Sequence, residues 1–235
     1  MKKIRNGYLT SRDRRILEFV DRCRVGTEDM FQRVFFSESK SRIATVSRVV
    51  RRLVRRGLLD RVTWSPGRSY VILTRRGCRA IAVPDRTPRP LTEQSLPVAL
   101  AVAWHCVRTG VTRVTDREFR QRYPELWRPG LRSSIYYLTD TPRGLVLGMF
   151  LVDRGGTARR IRSKIRRLIT QRDSLPAFEA LIAAGRLRLT VLTGLPAQQQ
   201  NIRRSLKRST FHRVEIEVCL VPELGDILTL GPGQC

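Results

Sequence analysis

Acidic residues are scarce in this chain of 235 residues: 20 Asp and Glu stand against 46 Lys and Arg, a formal net charge of +26. Solubility needs far less than that, and a field of this size concentrates polyanions and steers their approach. Lysine is rare too, confined to Lys2, Lys3, Lys40, Lys164 and Lys207, so the charge is almost entirely arginine. No stretch approaches the ~18 consecutive apolar residues of a membrane-spanning helix, which argues against a membrane partner. The basic start Met1-Lys2-Lys3 runs into Arg5, Asn6 and Gly7 where a secretory signal would turn apolar. Cys23, Cys78, Cys106, Cys219 and Cys235 are scattered and never at the two-residue spacing of a zinc knuckle or redox motif, so reduced thiols in a cytoplasmic protein are expected. His105 and His212 are isolated, and Trp104-His105-Cys106 reads as core and boundary packing, because alternate helical residues do not share a face. No metal or other cofactor is expected from these residues.

What is abundant is organised. Ser39 to Gly57, SKSRIATVSRVVRRLVRRG, places Ile43, Val46, Val50 and Leu53 at the three- and four-residue steps of one helix edge. Ser41, Thr45, Arg48 and Arg52 fall opposite. Small hydroxyls and arginines on such a face suit a major groove, where they reach phosphates or base edges and Arg forks onto guanine. Upstream, LTSRDRRILEFVDRC offers Thr10 or Ser11 as a helix N-cap, and TEDMFQRVFF gives a short second helix opened by Thr27 with Glu28 and Asp29 in its first turn. Downstream, Gly57 stops the third helix. Leu58 to Trp64 and Ser69 to Thr74 read as strands around the turn Ser65-Pro66-Gly67-Arg68. Helix, helix, helix, hairpin is the order of a winged helix, and TVSRVVRRLVRRGLLDR with the LTRRG exit resembles the MarR-like group.

Charge does not stop at this motif. Through Asp85 the chain holds 21 basic and 8 acidic residues, and beyond it 25 and 12, so each part carries +13. Three prolines among charges in VPDRTPRPLTEQ mark a linker. The expected organisation is therefore a winged-helix domain over 8–83, a linker over 84–94 and a basic α/β domain over 95–230. In the last, Leu96 to Val107 reads as a strongly apolar helix, and Thr115 with Glu118 as the capping box of a short one, with Trp127 seated near it. Ser134 to Leu138 is a strand, Thr139 to Gly144 a turn, and Leu145 to Val152 a strand too apolar to be an exposed edge. Thr157 caps a basic helix running to about Gln171. A helix from Pro176, a strand Arg186 to Thr193, a helix Pro196 to Arg208 and a strand Val214 to Val221 follow. The fold class is α+β.

That layout invites a nuclease reading with Asp140 before the central strand, Asp153 at its end and Lys164 behind, the acids holding a magnesium ion that activates water. Gly155 stands where a lysine belongs, and Leu151 where a further acid would. The other reading makes Asp140 a turn residue and Asp153 the cap of a strand, with no cleavage.

LTSRDRRILEFVDRC, the pair Phe35-Phe36, the LTRRG exit and FLVDRGGTARRIRSKIRRL together resemble the replication-relaxation family of plasmids and integrative elements. The resemblance implies an N-terminal winged helix joined to a nuclease-like, restriction-endonuclease-type α/β domain, here degenerate, and a role in plasmid replication or conjugative transfer. The expectation is a double-stranded-DNA-binding replication, transfer or transcription-regulating factor of the cytoplasm, nucleoid or plasmid associated, with a replication or transfer protein as further partner. Lys40, Ser41, Arg42, Thr45, Arg48, Arg52 and Arg55 would line the groove and its phosphates, and Arg68 at the wing tip would touch backbone or minor groove. A homodimer on palindromic DNA fits such a fold, though no segment demands it. A metal-dependent nuclease and an interaction protein of a nucleic-acid machine are the alternatives.

Overall fold

The computed structural model describes residues 9–36, 43–84, 89–131, 135–142, 144–207, 211 and 213–229. The chain is mixed α+β and divides into two compact units between Thr92 and Glu93.

The first unit opens with α1 (Ser11–Cys23), whose N-terminus carries a full capping box: Thr10 Oγ1 accepts from Asp13 N, and Asp13 accepts from Thr10 N. Thr27 caps α2 (Glu28–Phe35) through Met30 N. The third helix, α3 (Ile43–Arg55), ends in a Schellman motif: Leu58 N donates to Leu53 O, Gly57 N to Val54 O, and Gly57 takes φ +65°. An antiparallel hairpin, β1 (Leu59–Ser65) and β2 (Arg68–Leu73), turns through Gly67, and α4 (Arg75–Ala80) follows with Thr74 as its cap.

Ile16, Leu17, Val20, Phe31, Val46, Val50, Leu53, Val71 and Cys78 form one buried core. Ile43, expected on the apolar edge, is instead 50% exposed. It lies one turn before Val46 and projects past the core that Val46, Val50 and Leu53 close. A feature invisible in the pattern is the bridge between Gly26 and Val71, which exchange both backbone hydrogen bonds and so tie the α1–α2 connection to β2. Only glycine fits there, since a Cβ would stand 2.3 Å from the Phe31 ring.

The second unit is a five-stranded sheet of order β3-β4-β5-β6-β7, from β3 (Thr112–Arg113), β4 (Tyr136–Thr141), β5 (Gly144–Val152), β6 (Leu187–Thr193) and β7 (Glu215–Leu220). β3, β4 and β5 form an antiparallel meander, and β5, β6 and β7 run parallel. The helices are α5 (Leu96–Thr109), α6 (Asp116–Arg122), α7 (Ala158–Asp173), α8 (Pro176–Ala183), α9 (Pro196–Lys207) and α10 (Pro222–Thr229). The crossovers β5-α7-α8-β6 and β6-α9-β7 set α7 and α9 side by side on one face, while α5 and α10 pack together on the other. Covered on both faces, β5 alternates Leu147 and Met149 toward the α7 side with Phe150 toward His105 of α5. Trp104, His105 and Cys106 are all buried, because α5 is enclosed nearly all round.

Two local details hold the sheet. Tyr137 lies over Gly148 on the neighbouring strand and reaches Thr190 Oγ1 on β6 at 2.6 Å. Arg172, 1% exposed, donates through Nε to Tyr136 Oη at 2.8 Å and stacks on Tyr136 and Phe178. The turn expected over Thr139–Gly144 is shorter: β4 continues through Thr141, which pairs with Gly144, because the ladder to β5 outweighs the turn preference of Asp140. Among the described residues no helix is long and apolar enough to cross a membrane.

Candidate nucleic-acid interface

Burial of Val46, Val50 and Leu53 leaves α3 one outward stripe, and Arg48, Arg51 and Arg55 occupy it, all exposed. Among the described residues none of the three has a carboxylate partner; Arg51 Nε donates to Ser47 O at 3.3 Å, within its own helix. Thr45, half-buried, sits one turn before Arg48 and two before Arg52. Lys40, Ser41 and Arg42 lie outside the described residues.

The stripe borders a cleft lined by Glu28, Ser47, Arg48, Arg51, Val54, Arg55 and Arg61. Glu28 organises it: one carboxylate oxygen accepts from Ser47 Oγ and the other from Arg61 Nη2 at 2.5 Å, joining α2 to α3 and β1. Arg61 also donates to Ser69 Oγ at 3.2 Å, so its charge is spoken for. Arg48, Arg51 and Arg55 of α3 have no such carboxylate among the described residues. At the hairpin tip Arg68 is exposed and stands 5.6 Å from the Trp64 ring.

Arg52, expected to face phosphates, has a carboxylate partner within the fold. Its Nη2 pairs with Asp13 Oδ1 at 2.5 Å, and the Asp13 side chain is only 2% exposed. A buried carboxylate holds a guanidinium within reach, so Arg52 fastens α3 to the start of α1 while 44% of its side chain stays exposed. Periodicity misses this because the partner lies 39 residues away. The cleft that Arg52 borders is also lined by Arg12, which stacks over Phe36 at 4.6 Å, and by Arg15, 5.4 Å from Phe35, both arginines exposed. Their three-residue spacing on an N-terminal helical turn, together with the adjacent pair Phe35-Phe36, was the available signal.

The nuclease constellation does not assemble. Asp140 is exposed on β4 opposite Leu145, at the start of β5, whereas Asp153 follows the end of that strand. Eight residues of strand at ~3.3 Å each separate them by about 26 Å, too far to share one ion. Asp153 is buried, accepting from Gly155 N at 3.1 Å and Gly156 N at 2.8 Å, and it receives Thr193 Oγ1 at 3.5 Å. Its role is to close the turn from β5 into α7. Lys164 is associated with Asp153 rather than Asp140: burial first, then Arg160 and Arg154, hold its pKa below the ordinary lysine value while Asp153 pulls it up. Among the described residues no group of three His, Cys, Asp or Glu side chains converges to hold a metal ion. Cys23, Cys78 and Cys106 are buried free thiols, and burial and the neighbouring Glu217 push Cys219 up to about 12.

No protein-family model, curated protein or solved structure matches this chain.

Proposed function

We propose that the first unit is a winged helix that binds double-stranded DNA, with α3 in the major groove and the β1–β2 hairpin as the wing. The observation that carries this reading is the row Arg48, Arg51 and Arg55: exposed, on one helix, and without a carboxylate partner among the described residues. A helix with its side chains is 10–12 Å across and the major groove about 12 Å wide, so the two are matched in size. Arg48 and Thr45 stand nearest the bases, and the exposed Ile43 at the same end suits the apolar contact of a thymine methyl. Arg51, Arg55, Arg12 and Arg15 hold phosphates, and Arg68 touches backbone or minor groove. The order α1-α2-α3-β1-β2 with the Gly26–Val71 bridge is what a winged helix requires.

The helix-meander-helix-strand order of the second unit fits the degenerate restriction-endonuclease-like domain that the resemblance implies, with Leu151 and Gly155 in place of catalytic groups. With Asp140 and Asp153 far apart, that unit binds rather than cuts. The resemblance to replication-relaxation proteins supplies the process we propose, replication or transfer of a plasmid or mobile element.

Selection of bound duplexes from a random library at about 150 mM salt tests the reading, because non-specific phosphate binding is suppressed there. A recovered motif that is lost in Thr45→Ala and Arg48→Ala supports it. Tight binding without any motif overturns sequence recognition by α3.

A further inference from the structure

Charge in the second unit is sorted by layer. On the α5 and α10 face, Arg108 is matched by Glu223 at 2.5 Å. Elsewhere Arg188 is matched by Glu215 at 2.9 Å and Arg120 by Asp116 at 2.9 Å. Among the described residues the opposite face carries no such matching. On α7, Arg159, Arg160, Arg162, Lys164, Arg166 and Arg167 follow one another before the first acid, Asp173. Among the described residues none of these arginines has a carboxylate within salt-bridge distance. Packed beside α7, α9 adds exposed Arg203, Arg204 and Lys207. Arg203 Nη2 is fixed on Val218 O at 2.9 Å and Arg204 Nη2 on Asn201 Oδ1 at 3.1 Å, so neither charge is neutralised.

This arrangement works against the helix itself. Arg159 and Arg162, Arg160 and Lys164, Arg162 and Arg166, and Lys164 and Arg167 are like charges at the three- and four-residue steps where side chains meet, and each pair weakens the helix. The lowered pKa of Lys164 reports the same crowding, after the effect of its burial. A solvated face is normally relieved by interspersed acids; this helix has none before Asp173, which suits it to an anionic partner.

We propose that the α7/α9 face is a second phosphate-binding surface, gripping the backbone of duplex DNA without reading its sequence. The choice of DNA rests on the reading of α3 given above. The chemistry of the face narrows the partner further. Neither helix contains an aromatic residue, which removes the stacking platform that single strands require. Neither exposes a large apolar side chain, which removes the anchor of a protein interface. What remains are guanidinium groups with Ser163, Thr170, Gln200 and Asn201 exposed among them, groups that bond phosphate oxygens.

The experiment measures equilibrium binding of the full chain to a 25-bp duplex across salt, where each neutralised phosphate contributes about −0.9 to the slope of log K against log salt. The parent is compared with a variant carrying Arg159→Ala, Arg160→Ala, Arg166→Ala and Arg167→Ala, all exposed and outward, whose removal relieves repulsion and leaves the fold intact. Loss of about three contacts is expected. Raising salt from about 50 to 200 mM then costs the variant roughly fortyfold less affinity than the parent, with the preferred motif unchanged. The same four positions as Lys retain the parent slope, and Arg204→Ala with Lys207→Ala lowers it independently. An unchanged slope in the alanine variant, with Arg48→Ala and Arg51→Ala still weakening binding, overturns this proposal and leaves the α3 reading standing. Loss of binding in the α7 variant with none in the α3 variants does the reverse. Tighter retention of an RNA duplex than of DNA, abolished by the four substitutions, overturns the choice of DNA.

Discussion

Replacing Arg52 by alanine separates a structural arginine from a DNA-contacting one. Its side chain is 44% exposed, but that of its partner, Asp13, is 2% exposed and among the described residues otherwise serves the cap of α1. Breaking a fully buried pair costs about 3–5 kcal/mol, because a charge is stranded; water reaching one side of Arg52 lowers that to about 2 kcal/mol. In a domain of this size that is a fall in melting temperature of about 8–16 °C. Trp64 is the one tryptophan of the first unit, Trp104 and Trp127 belonging to the second, so in a Trp104→Phe, Trp127→Phe background its fluorescence follows this transition separately. Arg52→Lys recovers part of the loss. Asp13→Ala combined with Arg52→Ala costs less than the two single changes added together, since the stranded charge is gone. The slope of DNA affinity against salt stays within about half a unit of the parent. A melting temperature within about 2 °C of the parent, accompanied by a salt slope lower by about one, would refute the pairing and return Arg52 to the phosphate surface.

Gly148→Ala places a Cβ 1.9 Å from the Tyr137 ring, which Thr190 holds at 2.6 Å. The second unit loses about 3 kcal/mol or more by urea unfolding, and Tyr137→Ala in the same chain makes the alanine tolerable; an unchanged midpoint sinks this packing. His105 has its pKa lowered by burial, opposed by Glu217 and aided by Arg108, so the unfolded chain binds the proton more readily than the folded one. Stability of the second unit is therefore complete above the ordinary histidine value of 6.5 and falls as pH drops below it, and His105→Phe flattens that dependence; equal curves for both proteins contradict the assignment. In a Cys235→Ser background at pH 8, Cys23, Cys78, Cys106 and Cys219 react with a disulfide reagent only on unfolding, three because they are enclosed and Cys219 because its thiol is held up to about 12. Rapid native labelling of Cys219 would show that its environment is wrongly described.

Features that act within four residues were legible in the sequence. Thr10, Thr27, Thr115 and Thr157 cap the helices that follow them, Gly57 stops α3, and the uniformly apolar Leu145 to Val152 is a central strand. The periodicity of α3 turned Val46, Val50 and Leu53 inward, where they are buried, and Arg48 outward, where it is exposed. It misplaced Ile43 and overlooked Arg51, because three- and four-residue steps define a stripe without saying where the neighbouring core stops. The short α10, the two-residue β3 and the Gly26 bridge carried too little local pattern to be seen.

By itself the sequence determined the sum of charge, the caps, the helix faces and the succession of elements, since these depend on composition or on neighbours along the chain. Tertiary structure alone decided which arginines remain available to a partner. Asp13, 39 residues away along the chain, takes Arg52, Glu28 takes Arg61, and the aromatic pair Tyr136 and Phe178 encloses Arg172. It also decided that Asp140 and Asp153 stand at opposite ends of β5, and that α7 and α9 share one face of the sheet. A guanidinium's partner is set by distance in space, and the crossovers and strand register that set this distance join residues tens of positions apart.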